Sequence, residues 1–200
     1  ISQSNIQTAV NDWISNSTNA TAKYGGHISN WNTSQVTNMS DLFKNKTTFN
    51  SNISGWDVSN VTIMNNMFYG ASSFNQSLNS WYTAKVSNMN YMFNEASSYN
   101  SSLNDWNTAK VTTMERMFRH ATSFNKGLNS WNTSKVTNMK VMFSNTHAFN
   151  QDLNNWNVSK VANMEYMFSN AYVFNGKISG WNVSNLTYAP YLLSNARKFN

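Results

Sequence analysis

The chain has no cysteine and a single proline, Pro190, among its 200 residues. Without cysteine it can form no disulfide, no zinc–thiolate site and no cysteine nucleophile. No apolar run approaches the length that crosses a bilayer, so the sequence predicts no membrane span in this chain.

Charge is also scarce, with charged residues making up 11% of the chain and a net charge of +6. This basic excess fits an anionic partner, but it is too small and too dispersed to indicate nucleic acid. The length suits one domain. The chain begins with Ile1 and has no apolar secretory segment, which indicates a processed or trimmed polypeptide.

What the sequence does contain is a regular series of tryptophans. Each of the seven repeated tryptophans follows the last by 25 residues: Trp31, Trp56, Trp81, Trp106, Trp131, Trp156 and Trp181. A fixed period of this size is the signature of stacked repeats. One such unit is too small to bury its own apolar face, so we expect neighbouring units to bury it.

We call residues at the same distance from Trp in successive repeats a column. Val dominates the column five residues after Trp, Met the columns at eight and eleven, and Phe the columns at twelve and eighteen. Asn occupies every position at nineteen. All 11 Met and all 12 Phe lie in these columns, which therefore predict the core.

Within a repeat the apolar spacing changes. Trp and the second residue after it alternate with a polar residue, which predicts a short strand with Trp facing inward. Met64, Met67, Phe68 and Ala71 then follow a helical spacing. The sequence therefore predicts an α/β solenoid of seven 25-residue β–turn–helix coils.

We divide the chain into two parts. Residues 1–27 lie outside the repeat, and Ile6, Val10, Trp13 and Ile14 share one helical face there. This pattern predicts an N-terminal capping helix and lead-in, followed by the seven-coil array at 28–200.

The repeat unit, FNxxLxxW[DN]xSxVxNMxxMFxxAxxFN, resembles the BspA-like leucine-rich-repeat surface proteins over residues 24–200. The resemblance implies a right-handed leucine-rich-repeat-like superhelix and an exported or cell-surface protein used for adhesion or recognition. It implies no catalytic residue. The family usually has Asp after Trp, whereas this chain has Asp57 once and mostly Asn, so an acidic ladder for Ca²⁺ is not expected.

The first candidate binding site is the lysine column, four residues after Trp in four consecutive repeats: Lys85, Lys110, Lys135 and Lys160. At strand spacing these side chains form a stripe about 14 Å long. The predicted helices begin two residues later and would point unpaired N–H groups at the same edge. This arrangement predicts binding of a regularly charged anion, although exposed lysines also serve solubility alone.

The second candidate is the asparagine row, the position directly after Trp, represented by Asn107, Asn132 and Asn157. We expect this row on an exposed strand face, where it suits hydrogen bonding to sugars or a peptide. A solvated strand face without a partner is the alternative interpretation.

Other chemistry has weaker support. The Met columns fit core packing better than a copper site. We expect a surface ion pair between His120 and Glu95, and a charge stack of Glu115, Lys140 and Glu165. Neither pattern indicates catalysis. A Thr column two residues after Trp raises ice binding, but we expect it to face inward.

The sequence thus predicts a non-catalytic extracellular or surface module, without cofactor or metal, that binds a surface protein or a glycan, anionic or neutral. The alternative is a structural assembly subunit of a filament, cell coat or virion surface, because exposed ends of an array invite self-assembly.

Overall fold

The structure is a computed structural model that describes all 200 residues of the chain. Two α-helices open it, α1 (Ile6–Ser15) and α2 (Ser17–Tyr24), followed by a 3₁₀-helix at Ile28–Asn30. Neither α-helix is long and apolar enough to cross a membrane.

The predicted N-terminal helix and its apolar face are confirmed. Ile6, Val10 and Trp13 are buried, and Ile14 is half-buried against the core. The indole of Trp13 meets Trp31 edge-on, with ring centroids 6.1 Å apart, so α1 lies over the first repeat.

Beyond the 3₁₀-helix at Ile28–Asn30, the repeats contain no helix and no strand. They consist of consecutive turns, and neighbouring repeats share isolated parallel β-bridges of one residue each, running from Asn38 to Tyr188. The predicted α/β solenoid of β–turn–helix coils, right-handed and leucine-rich-repeat-like, is therefore wrong, and no sheet face exists. What remains is a stack of 25-residue repeats made of turns.

Two successive turns occupy the segment where a helix was predicted. The N–H of Met67 donates to the carbonyl of Met64 at 3.3 Å, and the N–H of Ala71 to that of Phe68 at 3.0 Å. An α-helix needs negative φ throughout, but φ is +55° at Asn66 and +66° at Gly70. Four-residue turns place their corner residues with nearly the same spacing as a helix, which explains the misleading pattern.

A left-handed φ recurs in every repeat, ten and fourteen residues after Trp. Thirteen residues other than glycine adopt it: Asp41, Asn45, Asn66, Tyr91, Glu95, Arg116, His120, Val141, Asn145, Tyr166, Asn170, Tyr191 and Asn195. The conformation costs an L-residue about 1–2 kcal/mol. Contacts between repeats must offset this cost, because a single repeat cannot.

Backbone hydrogen bonds between repeats supply the first of these contacts. Alternate N–H groups donate to carbonyls of the following repeat, as from Tyr91 to Glu115 at 2.8 Å and from Phe93 to Met117 at 2.9 Å. Along this segment each repeat thus presents N–H donors towards the C-terminal end and carbonyl acceptors towards the N-terminal end.

The tryptophans supply the second contact, and their predicted inward orientation is confirmed. The rings of Trp106 and Trp131 stack with centroids 6.3 Å apart and an interplanar angle of 2°. The indole N–H of Trp106 donates to the buried carbonyl of Leu78 at 2.8 Å, and that of Trp131 to Leu103 at 2.9 Å. From Trp56 onwards, each repeated tryptophan therefore fixes its own repeat to the preceding one.

The Met and Phe columns form the core, as predicted. Phe93, Phe118 and Phe143 are fully buried, and successive ring centroids are 5.6 Å apart. The residues of both Met columns are equally buried. The core is thus a continuous column of side chains that crosses every boundary between repeats.

Two glutamines of the N-terminal segment close the first repeat. The Gln3 amide donates to the carbonyl of Asn38 at 3.0 Å, and the Gln7 amide donates to that of Leu42 at 3.2 Å. In later repeats the equivalent carbonyls accept N–H groups from the preceding repeat. The first repeat has no preceding repeat to supply backbone N–H donors. The Gln3 and Gln7 side chains, four residues apart around the start of α1, take the place of those donors.

The Asn column nineteen residues after Trp links the repeats along another edge. The Asn100 side-chain oxygen accepts the N–H of Asn125 at 3.0 Å, and Asn125 in turn accepts that of Asn150 at 2.9 Å. The predicted pairing of these amides with backbone groups is confirmed, although the positions are exposed or half-exposed instead of buried.

One buried hydroxyl has no partner. Tyr99 occupies a column that holds Phe in the other repeats, and its phenol oxygen makes no hydrogen bond although the side chain is fully buried. Burial alone raises the pKa of the Tyr99 phenol well above its ordinary value.

Burial in the stack predicts a strong position dependence for substitutions within one column. Phe124→Ala should lower the free energy of unfolding by about 3–5 kcal/mol, because Phe124 is fully buried between neighbouring rings. Phe199→Ala, in the same column of the last repeat, should cost much less because Phe199 is half-buried. Urea denaturation of both variants measures the difference, and equal costs would contradict the stacked core.

Tyr99→Phe should raise the free energy of unfolding by about 1–3 kcal/mol, since it removes a buried hydroxyl without a partner. Phe149→Tyr, a matched control, introduces such a hydroxyl in the same column and should destabilise. Urea denaturation tests both, and a destabilising Tyr99→Phe would show that the hydroxyl is satisfied in solution.

Candidate functional site

All four members of the lysine column are exposed. None of them takes part in an ion pair, and Lys85 alone makes a hydrogen bond, to the side-chain oxygen of Asn60 at 2.7 Å. Hydrogen-bonded backbones in adjacent repeats set the spacing near that of paired strands, about 4.8 Å. The column is therefore a row of exposed cations in which only Lys85 has a hydrogen-bond partner within the chain.

The unpaired N–H groups predicted beside this column are absent. No helix begins there, and the N–H groups two residues after the lysines bond to the preceding repeat. Thr112 donates to the carbonyl of Ser87 at 3.0 Å and Thr137 to that of Thr112 at 2.9 Å. The prediction of a helix-terminal anion site is therefore wrong, and the lysine ammonium groups are the cationic feature of this edge.

The asparagine row is exposed, but it belongs to turns and not to a strand. The side-chain oxygens of Asn107, Asn132 and Asn157 each accept the backbone N–H two residues later at 3.1 Å. This pairing is an Asx turn, which explains why Asn or Asp dominates the row. Their amide N–H groups make no hydrogen bond within the chain and can donate to a ligand.

The row and the lysine column lie side by side. Hydrogen bonds from Ser59, through its side chain and then its backbone, hold the pKa of the Asp57 carboxyl below its ordinary value, and the charge of Lys85 adds to the effect. Asp57 is the one acid of the row, so the surface beside the other three lysines carries amides without carboxylates.

Charge pairing elsewhere leaves the lysine column uncompensated. Five ion pairs use five of the eight acids: Lys23–Asp12, Lys44–Asp41, Arg116–Glu115, Arg119–Glu95 and Lys140–Glu165. The net charge of +6 therefore lies on residues outside these pairs, the lysine column among them.

A shallow depression of about 310 Å³ lies on another side of the stack, lined by Glu95, Ser97, His120 and Thr122. The predicted ion pair between His120 and Glu95 is wrong. The Glu95 carboxylate instead accepts from Arg119 at 3.3 Å, so the carboxylate is already paired.

Partial burial lowers the pKa of the His120 imidazole, and the charge of Arg119 lowers it further against a small opposing effect of Glu95. The shift favours the neutral imidazole over the imidazolium. Because the Glu95 carboxylate pairs with Arg119, it does not orient the His120 ring as the partner of a general base would.

The predicted charge stack forms only in part. Lys140 pairs with Glu165 at 2.6 Å, which raises the pKa of the Lys140 ammonium. Glu115 instead pairs with Arg116 at 3.8 Å and accepts hydrogen bonds from Tyr91 and Asn138 at 3.2 Å each. No group of three or more His, Cys, Asp or Glu residues is placed to hold a metal ion.

The Thr column faces inward, as expected, and offers no ice-binding surface. Thr33, Thr83, Thr108 and Thr133 are buried. Their hydroxyls donate to carbonyls of the next repeat, as from Thr83 to Asn107 at 3.1 Å.

Sequence reasoning missed a set of stacked aromatic and cationic side chains near the C-terminal end. The His147 ring stacks on the Tyr172 ring of the next repeat, with centroids 4.7 Å apart. The Arg197 guanidinium, one repeat further on, lies 4.8 Å from the centroid of the Tyr172 ring. Tyr166 and Tyr191 stack similarly at 4.8 Å. The residues of each set lie in one column, so the repeat period could have indicated from the sequence that they stack.

The lowered pKa of His120 predicts a pH dependence of stability. The unfolded state takes up the proton first as pH falls below about 6.5, so the folded state loses stability there until the folded imidazole also titrates. His120→Gln should reduce this loss, measured as the free energy of unfolding between pH 7.5 and 5. An unchanged slope would contradict the shift.

Comparison with protein-family models gives one family, described as "Mycoplasma protein of unknown function, DUF285", which matches residues 11–125 and 100–200. No curated protein and no solved structure matches the chain. The comparisons show neither a BspA-like nor a leucine-rich-repeat family. Because the two matched segments together cover almost the whole chain, the protein belongs to the DUF285 family.

Proposed function

We propose that this protein is a non-catalytic recognition module that binds an anionic glycan through the lysine column. The observation that carries the proposal is the row of four exposed ammonium groups in consecutive repeats, none of them in an ion pair.

The spacing of the row supports a polymeric ligand. Four cations spread over about 14 Å suit a chain with repeated sulfate or carboxylate groups better than a single small anion. The stack is rigid along this direction because backbone hydrogen bonds join each repeat to the next. Binding should therefore cost little ordering of the protein.

The asparagine row adds neutral donors beside the cations. The amide N–H groups of Asn107, Asn132 and Asn157 make no hydrogen bond within the chain, and amides of this kind can bind sugar hydroxyls. The ammonium groups would then supply most of the attraction and the amides part of the selectivity.

The absence of catalysis and a location at a cell surface are part of the same proposal. The resemblance of the repeat unit to BspA-like surface proteins favours an extracellular adhesion or recognition role. The side chains around the lysine column include no nucleophile paired to a base and no pair of free carboxylates.

The second candidate function is a subunit of a larger assembly. Exposed apolar side chains within the stack favour it, namely Tyr82 at 63% and Val173 at 39% exposure. End-to-end stacking is less well supported, because α1, Gln3 and Gln7 cover the N-terminal end.

Charge reversal tests the glycan proposal. The variant with Lys85→Glu, Lys110→Glu, Lys135→Glu and Lys160→Glu should elute from a heparin resin at much lower salt than the parent chain, because the cationic row becomes anionic. Retention on a neutral glycan resin should change little.

The matched control carries the same total charge change at lysines outside the column: Lys46→Glu, Lys126→Glu, Lys177→Glu and Lys198→Glu. It should keep most of the retention on heparin. Equal loss in both variants would show a response to net charge alone and would remove the lysine column as the site.

A further inference from the structure

The asparagine row contains one residue that does not fit it. In six of the seven repeats the side-chain oxygen of an Asn or Asp accepts the backbone N–H two residues later, at 2.9–3.1 Å: Asn32, Asp57, Asn107, Asn132, Asn157 and Asn182. The third repeat has Tyr82 at this position. A phenol cannot close an Asx turn, and the N–H of Ala84 has no acceptor within the chain.

No contact of Tyr82 within the chain compensates for the lost turn. The side chain is 63% exposed. Its neighbour Trp81 stacks on Trp106 and packs on Phe68, but no other ring lies against the ring of Tyr82. A residue that breaks a local rule without a gain in the folded chain points to a role in function. An exposed aromatic ring supplies a flat apolar surface with a polar rim, which suits a ligand that shares both properties.

The place of Tyr82 in the stack links it to the lysine column. It belongs to the same repeat as Lys85, the first lysine of the column, and lies at the boundary where the column begins. The preceding repeat has Asn60 in the lysine position and Asp57 in the asparagine row.

The charge at this boundary is already partly compensated. The Lys85 ammonium donates to the side-chain oxygen of Asn60 at 2.7 Å, and the Asp57 carboxylate lies near enough to interact with the charge of Lys85. An anion therefore gains less from Lys85 than from the three lysines that follow it. At this end of the column the exposed ring of Tyr82 is the feature still free to contact a ligand.

We infer that Tyr82 forms a sugar-ring subsite at the start of the lysine column, where the apolar face of a pyranose ring packs on its phenol ring. Anionic groups further along the same glycan then reach Lys110, Lys135 and Lys160. The inference rests on the proposed function and deepens it, because it assigns the ligand class. The ligand is a polysaccharide built of pyranose rings, and not any polyanion of suitable charge.

The chemistry of the two partners explains this selectivity. A pyranose ring directs several C–H groups to one face, and the negative face of an aromatic ring attracts them. The phenol hydroxyl at the rim can exchange hydrogen bonds with sugar hydroxyls. Inorganic polyphosphate carries regularly spaced charge without C–H groups, so it can bind the ammonium groups but gains nothing from Tyr82.

The test is Tyr82→Asn in the full chain, with a heparin oligosaccharide and inorganic polyphosphate as the two probes. Calorimetry at fixed salt should show an affinity for the heparin oligosaccharide that is about fivefold lower than that of the parent chain. The affinity for polyphosphate should not change. Equal loss with both probes, or no loss with heparin, would overturn the inference.

Stability separates this ligand contact from a structural role. Tyr82→Asn gives the N–H of Ala84 the acceptor that the other six repeats have, so the midpoint of urea unfolding should rise while heparin affinity falls. A fall in both would mean that Tyr82 acts through the fold. Tyr82→Trp, which keeps an aromatic ring and a polar N–H, should retain heparin affinity within about twofold, and a loss as large as that of Tyr82→Asn would also count against the subsite.

The matched control is Val173→Asn, which removes another exposed apolar side chain of the stack outside the asparagine row. It should leave the affinity for both probes unchanged. Sedimentation of the parent chain and of Tyr82→Asn covers the remaining use of the ring. A parent oligomer that Tyr82→Asn dissociates would make Tyr82 a contact between copies and would overturn the inference.

Charge reversal of the four lysines distinguishes failure of the subsite from failure of the proposed function. That variant should lose affinity for heparin and polyphosphate alike, because both probes need the ammonium groups. If it binds both as the parent does, the lysine column is not the site and the proposed function fails. If it loses both while Tyr82→Asn binds heparin normally, only the sugar-ring subsite fails.

Discussion

Backbone N–H groups at alternate residues, from eight to fourteen positions after Trp, donate to carbonyls of the following repeat, and the rest of the structure depends on this pairing. It holds successive repeats at a spacing that lets indole rings lie over indole rings and phenyl rings over phenyl rings. It also holds two residues per repeat in a left-handed conformation that an isolated turn would not keep. Burial of the aromatic columns and the hydrogen bonds therefore stabilise the same geometry.

The same pairing gives the molecule its polarity. Donors in this segment point towards one end and carbonyls towards the other, so the two ends need different chemistry to be closed. Gln3 and Gln7 close the carbonyl end with amide N–H groups.

The exposed edge follows from the repeat in a similar way. A residue type placed four positions after Trp is reproduced at about 4.8 Å intervals along the stack, so lysine at this position becomes a row of charges. The adjacent Asx turns leave amide N–H groups free along that row. A surface with regular spacing of this kind suits a ligand that is itself regular, which is the physical basis of the glycan proposal.

The sequence by itself determined the number of repeats, their length, the residues of the core and the exposure of the lysine column. The period follows from the interval between tryptophans, and burial follows from the residue type in each column. The 25-residue interval placed Trp106 over Trp131, and all Met and Phe columns lie inside. Only the tertiary structure decided the backbone conformation. Met64, Met67 and Phe68 are spaced as in a helix, yet the sign of φ at Asn66 depends on the hydrogen bonds offered by the neighbouring repeat. The pairing of Glu95 with Arg119 instead of His120 was decided in the same way, since side chains in adjacent columns compete and the sequence does not rank them.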